Sequence, residues 1–95
     1  MTWSYRFPPD RVHEGGERGV KDMAAEVAEA AWAVSYAYAT EDPADVRDAA
    51  IELMDVIHVA ETELRHLERD LDADVEGAWC ATVAKNEGRG YYTAF

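Results

Sequence analysis

The sequence predicts an all-α fold, a helical bundle completed by homo-oligomerisation. Three observations lead there. Over two long stretches, residues 17–40 and 43–69, apolar residues recur at the i, i+3, i+4, i+7 spacing of one helix face. The Glu41-Asp42-Pro43 break between them is short, which makes the two helices antiparallel neighbours. Asp70-Leu-Asp-Ala-Asp then interrupts the second stretch and offers capping residues for a third, shorter helix.

The elements are expected in this order, within a single domain over residues 1–95. Residues 1–16 form an N-terminal arm rich in aromatics and turn formers: Trp3, Tyr5, Phe7, Pro8-Pro9 and Gly15-Gly16. The prolines disfavour helix and the paired glycines favour a turn, so the arm lays its rings onto the helices or presents one to a ligand. The first helix spans about 17–40, with Met23, Val27, Ala30, Ala31, Val34 and Tyr38 as its buried stripe. Trp32 and Tyr36 lie on the far side with Glu29, so this helix is expected to be covered on a second face too.

The second helix spans about 43–69. Asp42 is its N-cap and Pro43 occupies the first helical position, where a missing N–H costs nothing. Val46, Ala50, Leu53, Ile57, Ala60, Leu64 and Leu67 make its expected core stripe, with Glu52, Asp55, Val59 and His66 on another side. The third helix spans about 73–86, turning Val75, Ala78, Trp79, Thr82 and Val83 inward. Gly77 weakens its middle and Gly88 stops it. A short aromatic tail follows. Helices that are apolar on two sides exceed what one chain of this length buries, and a dimer forming a four-helix bundle would cover them.

Composition narrows the function. A chain of 95 residues buries roughly 65% of its unfolded surface, which allows a modest core. Twenty acidic residues against nine basic give a formal net charge of −11. That balance opposes sequence-independent binding to nucleic acid and to anionic membrane surfaces, both of which need basic patches. The longest uncharged run, Ala30 to Thr40, falls short of the roughly 20 residues of a membrane span. Cys80 is the single cysteine, so no internal disulfide forms. The opening segment lacks the apolar core of a signal peptide, and a cytoplasmic setting is expected.

Two acidic pairs stand out: Glu26-Val-Ala-Glu29 and Glu52-Leu-Met-Asp55. At i, i+3 spacing both side chains of a pair leave the same helix face, about 5–6 Å apart. Both pairs sit among Ala, Val, Leu, Ile and Met, with no Lys or Arg three or four residues away. Carboxylates in apolar surroundings are costly unless paired, protonated or bound to metal. On antiparallel neighbours the four carboxylates can converge, and converging carboxylates suit a hard divalent cation such as Mg²⁺. Farther on, Lys85-Asn86-Glu87-Gly88-Arg89-Gly90-Tyr91-Tyr92 combines two cations with an amide, two glycines and two tyrosines. Lys as a point charge and Arg as a bidentate fork suit phosphate oxygens. The same residue types also suit a helix C-terminus.

Taken in order, Glu26-x-x-Glu29, Glu52-x-x-Asp55 and Lys85-Asn86-x-x-Arg89-Gly-Tyr resemble the all-α NTP pyrophosphatases of the MazG-like superfamily, over about residues 17–92. The resemblance implies a helical dimer or tetramer and Mg²⁺, with Mn²⁺ possible, held by Glu26, Glu29, Glu52 and Asp55. It implies hydrolysis of a (d)NTP between its α and β phosphates to the monophosphate and pyrophosphate. Glu29 and Glu52 are the expected catalytic carboxylates. Lys85 and Arg89 would neutralise phosphate charge, Asn86 would contact sugar or phosphate, and Tyr91 and Trp32 are further candidate substrate contacts. One departure is visible: the family pattern often doubles the first acid, whereas Ala25 precedes Glu26 here.

Other residues have plainer readings. Asp55-x-x-His58 and Glu63-x-x-His66 echo the carboxylate-x-x-His motif of di-iron bundles, but that design needs one motif on each of two helices and both lie on one here. His13 reads as a loop residue, Trp32 and Trp79 as core or interface, and Cys80 as a buried small residue. The alternative function is a non-catalytic helical module that binds a nucleotide or a protein partner.

Overall fold

The computed structural model describes residues 2–10 and 15–92. The reading of His13 falls outside them. Three helices and no strand are present among the described residues: α1 (Gly16–Thr40), α2 (Pro43–Leu71) and α3 (Val75–Gly88). The fold is all-α, and no described helix is long and apolar enough to cross a membrane.

Local chemistry explains the helix ends. The Asp42 carboxylate accepts the Ala44 N–H at 2.8 Å, and Pro43 follows it at the first helical position. Thr40 Oγ1 donates to Asp45 at 2.7 Å and accepts the Asp42 N–H at 3.2 Å, which ties the short turn on both sides. At the far end of α2, Asp72 takes a left-handed conformation and the Ala73 N–H reaches back to the Leu67 carbonyl at 3.2 Å. Gly77 belongs to the start of α3 rather than its middle. Its N–H donates to the capping Asp74 at 2.9 Å, and a Cβ there would collide with the Asp74 carboxylate.

α1 and α2 form an antiparallel hairpin packed along its length, while α3 makes no comparable contact with either. The contact between α1 and α2 differs from the expected stripes. The buried residues of the two helices are Gly19, Ala30 and Ala37 of α1 and Ala49, Val59, Glu61 and Thr62 of α2, mostly small side chains. Met23 and Val34 of the expected stripe are half-buried, but other larger residues expected at the contact stand outside it. Val27 and Tyr38 of α1 are exposed, Tyr38 at 83%, and so are Val46, Leu53 (47%), Ile57 and Leu67 of α2. Ala60 and Leu64 are half-buried, while Ala31 and Ala50 are exposed. The physical reason is size: small side chains let two backbones approach closely, and the bulkier residues are turned to one flank. Two shallow apolar grooves on that flank run along Val27, Val34, Tyr38, Val46 and Leu53.

Trp32 and Tyr36 are also exposed, Trp32 at 74%, so the second face of α1 is uncovered in the single chain. In α3, Val75 is buried and Trp79 and Val83 are half-buried, whereas Ala78, Thr82 and Cys80 are exposed, contrary to the buried place expected for the cysteine.

The arm lies on α2 and α3. Its anchor is Glu61, 4% exposed, whose carboxylate accepts the Arg6 N–H at 3.0 and 3.1 Å and the Phe7 N–H at 2.9 Å. Arg65 donates to the Phe7 carbonyl at 2.8 Å and places its guanidinium 4.0 Å from the Tyr5 ring centroid. Phe7 stacks on His58 with centroids 4.8 Å apart, and Trp3 meets Trp79 of α3 at 5.4 Å. The Tyr5 hydroxyl donates to Glu68.

Burial first, and Glu68 beside it second, push the Tyr5 phenol up to about 12. The docked arm therefore favours the protonated phenol. Its contribution to stability is whole below the ordinary phenol value of about 10 and is lost as pH rises through about 12. The difference in tyrosinate absorbance between the wild type and Tyr5→Phe should show one phenol titrating near that upper value. Titration of that phenol near 10 would contradict the docking.

Candidate functional site

Helical spacing places Glu26 on the α2-facing side of α1. Glu52 and Asp55 occupy successive turns of α2 opposite it. One carboxylate oxygen from each of Glu26, Glu52 and Asp55 lies within 4.8 Å of the other two. Glu26 and Glu52 are half-buried and Asp55 is exposed, so the cluster opens to solvent at one edge. Glu52 Oε2 is buried and has no hydrogen-bond partner among the described residues. Glu29, the fourth expected ligand, is exposed on α1 and does not belong to the cluster. It leaves the helix one turn after Glu26, on the side of Trp32 and Tyr36.

Electrostatics decides what such a cluster needs. Two unit charges about 4 Å apart repel by about 1 kcal/mol in bulk water and about 4 kcal/mol near a protein surface. Three carboxylates, one with a buried unpartnered oxygen, concentrate that repulsion. The donor set is all oxygen, which suits Mg²⁺ or Mn²⁺ rather than softer ions. An ion centred among atoms at most 4.8 Å apart would stand within about 2.8 Å of each, so side-chain movements under 1 Å reach the ~2.1 Å of Mg²⁺ coordination.

The expected phosphate-binding residues lie elsewhere in the fold. Lys85, Asn86 and Arg89 sit at the C-terminal end of α3, the helix that does not pack along the hairpin. Lys85 and Arg89 are exposed and Asn86 is half-buried. The Arg89 N–H caps the helix on the Lys85 carbonyl, its guanidinium stands 6.0 Å from the Tyr91 ring centroid, and the Tyr91 N–H donates to the Asn86 carbonyl. Cations and ring thus form a local group of their own. Trp32, exposed on the Glu29 side of α1, is open to a ligand or a partner.

A second group was not legible as a unit in the sequence. Asp10 and His58 (Oδ2 to Nε2, 3.7 Å), Glu63 and His66 (3.5 Å), Arg65 and Glu61 gather where the arm crosses α2. Gly15 passes so close to His66 that a Cβ would lie 2.9 Å from its Nδ1. The signal available was indirect: an arm without helix or strand needs acceptors for its backbone N–H groups, and α2 carries carboxylates at Glu61, Glu63 and Glu68.

The chain matches no family model, no curated protein and no solved structure.

Ligand binding at the acidic cluster should appear in stability. Saturation with Mg²⁺ or Mn²⁺ at a hundredfold excess over Kd should stabilise the native state by about 2.7 kcal/mol, read as a rise in Tm. Glu52→Gln, which removes one like charge, should keep or raise the metal-free Tm and abolish the response to metal. An identical metal response in the variant would rule out Glu52 as a ligand.

Proposed function

We propose that this chain is a Mg²⁺-dependent nucleoside triphosphate pyrophosphohydrolase of the MazG-like all-α type, with Mn²⁺ as an alternative ion. The observation that carries the reading is the convergence of Glu26, Glu52 and Asp55 from two helices, with a buried Glu52 oxygen that lacks a partner among the described residues. The ordered likeness of the acidic pairs and of Lys85-Asn86-x-x-Arg89-Gly-Tyr to that family supports it.

In this reading Glu26, Glu52 and Asp55 hold the ion, and Glu29 joins them or orients the attacking water from one turn away. A bound divalent ion supplies charge neutralisation to the triphosphate, which lets a chain of net charge −11 accept a polyanion. Water breaks the bridge between the α and β phosphates, one of them taking the new oxygen and the other keeping the bridging one, and the monophosphate and pyrophosphate leave. Lys85 and Arg89 balance the phosphate charge, Asn86 contacts sugar or phosphate, and Trp32 and Tyr91 offer rings to the base. A cytoplasmic setting suits the exposed thiol of Cys80.

The working form in this proposal is a homodimer, or a tetramer built from such dimers. The chain exposes 7317 Å², whereas a compact monomer of its mass exposes about 5,500 Å². Its radius of gyration is 15.5 Å, against about 12 Å for a compact domain of this length. A surplus of about 1,800 Å² per chain matches what an obligate dimer covers. The flank formed by Val27, Tyr38, Val46, Leu53 and Ile57 is the apolar surface for a second copy.

Two experiments follow. Pyrophosphate release from a panel of (d)NTPs is expected with Mg²⁺ and not with EDTA, and Glu52→Gln should lower kcat at least a hundredfold while the helical circular dichroism is retained. No release from any nucleotide by a folded sample would favour the non-catalytic binding module. Sedimentation should give a dimer or larger, and Leu53→Glu should dissociate it. A wild-type monomer at micromolar concentration would overturn the assembly.

A further inference from the structure

We infer that residues 3–10 are a strap that fixes α3 against the α1–α2 hairpin, with Glu61 as its lock. As a consequence, the strap sets where the cations of α3 stand relative to the acidic cluster. That last step rests on the proposed function; the strap itself does not.

The argument begins with α3. It has 14 residues, a length at which an isolated helix is marginal in water. It packs along neither α1 nor α2, and the linker before it, with Asp72 left-handed and Asp74 capping the new helix, redirects the chain. Its larger covered side chains are Val75 near the start, Trp79 one turn on and Val83. Trp79 meets Trp3, so the tryptophan contact joins the middle of α3 to the arm.

The arm in turn is held by α2. Glu61 takes the backbone N–H groups of two successive residues, Arg6 and Phe7, and Arg65 one turn on takes the Phe7 carbonyl. The backbone N–H groups and a carbonyl of one short bend are thus bound by side chains of a single helix. Tyr5 and Phe7 close over the same helix through Arg65, Glu68 and His58. The order of connection is α2, strap, Trp3, Trp79, α3.

With the strap docked, the buried Glu61 carboxylate is satisfied by two N–H groups. With the strap lifted, water satisfies the same oxygens, so opening leaves no orphaned charge inside the protein. In the docked arrangement the arm orders α3 against the hairpin. Lys85, Asn86 and Arg89 all lie beyond Trp79 on α3, so their placement follows the strap.

Hydrogen exchange of the full-length chain, read by mass spectrometry, tests this without substrate. Glu61→Gln makes the charge-assisted acceptor neutral and sets an amide nitrogen against the Arg6 N–H where Oε2 stood, and Trp3→Ala removes the link at the other end. Each variant should speed exchange in α3 at least tenfold and leave the α1–α2 hairpin as protected as in the wild type. Unchanged protection of α3 in both would overturn the strap, and so would equal loss of protection everywhere in Trp3→Ala. If Glu61→Gln alone unfolds, Trp3→Ala decides. In the pyrophosphate assay, Trp3→Ala should raise KM severalfold while the Tm response to Mg²⁺ persists. An unchanged KM would sever the strap from the site, and a wild type without turnover would refute the enzyme reading while leaving the exchange result standing.

Discussion

The close approach of α1 and α2 through small side chains is the constraint on which the rest of this structure depends. The buried residues of the two helices include Gly19, Ala30, Ala37, Ala49 and Val59, and none of these has the bulk to hold two backbones apart. Close approach brings Glu26 within ligand distance of Glu52 and Asp55. It also leaves no room for Val27, Tyr38, Leu53 or Ile57, which are displaced to one flank. The acidic cluster and the apolar flank are two results of one packing choice.

Charge and apolar surface then divide the molecule. The carboxylates gather at the edge of the helix contact, while Val27, Val34, Tyr38, Val46 and Leu53 form grooves along the flank. A second copy covering that flank would add the apolar burial the single chain lacks, and the acidic cluster would stay open at its solvent edge. In the proposed enzyme, a divalent ion resolves the repulsion within the cluster and the repulsion between a strongly acidic chain and its polyanionic substrate.

The arm shows how a segment without regular structure becomes ordered. Its backbone polar groups find partners on α2, and its rings bury against α2 and α3. A buried carboxylate is tolerated in the middle of α2 because two N–H groups satisfy it. Glu61 therefore belongs to the architecture of the arm, although on the sequence it is one acid among twenty.

The sequence by itself determined the three helices and their order, because helical periodicity, the Asp42-Pro43 start and the Asp74 cap are local signals. It also determined that Glu52 and Asp55 would share a side of α2, since i, i+3 spacing fixes direction along one helix. Tertiary structure decided which side faced the partner helix. Periodicity marks every apolar stripe, and in a chain with two such stripes per helix the larger residues drew the expectation toward Val46, Leu53 and Ile57. Packing selected the smaller ones, because close helix contact rewards the absence of bulk. The same selection kept Glu29 apart from the cluster, and Lys85 and Arg89 lie at the end of a helix that does not pack along the hairpin.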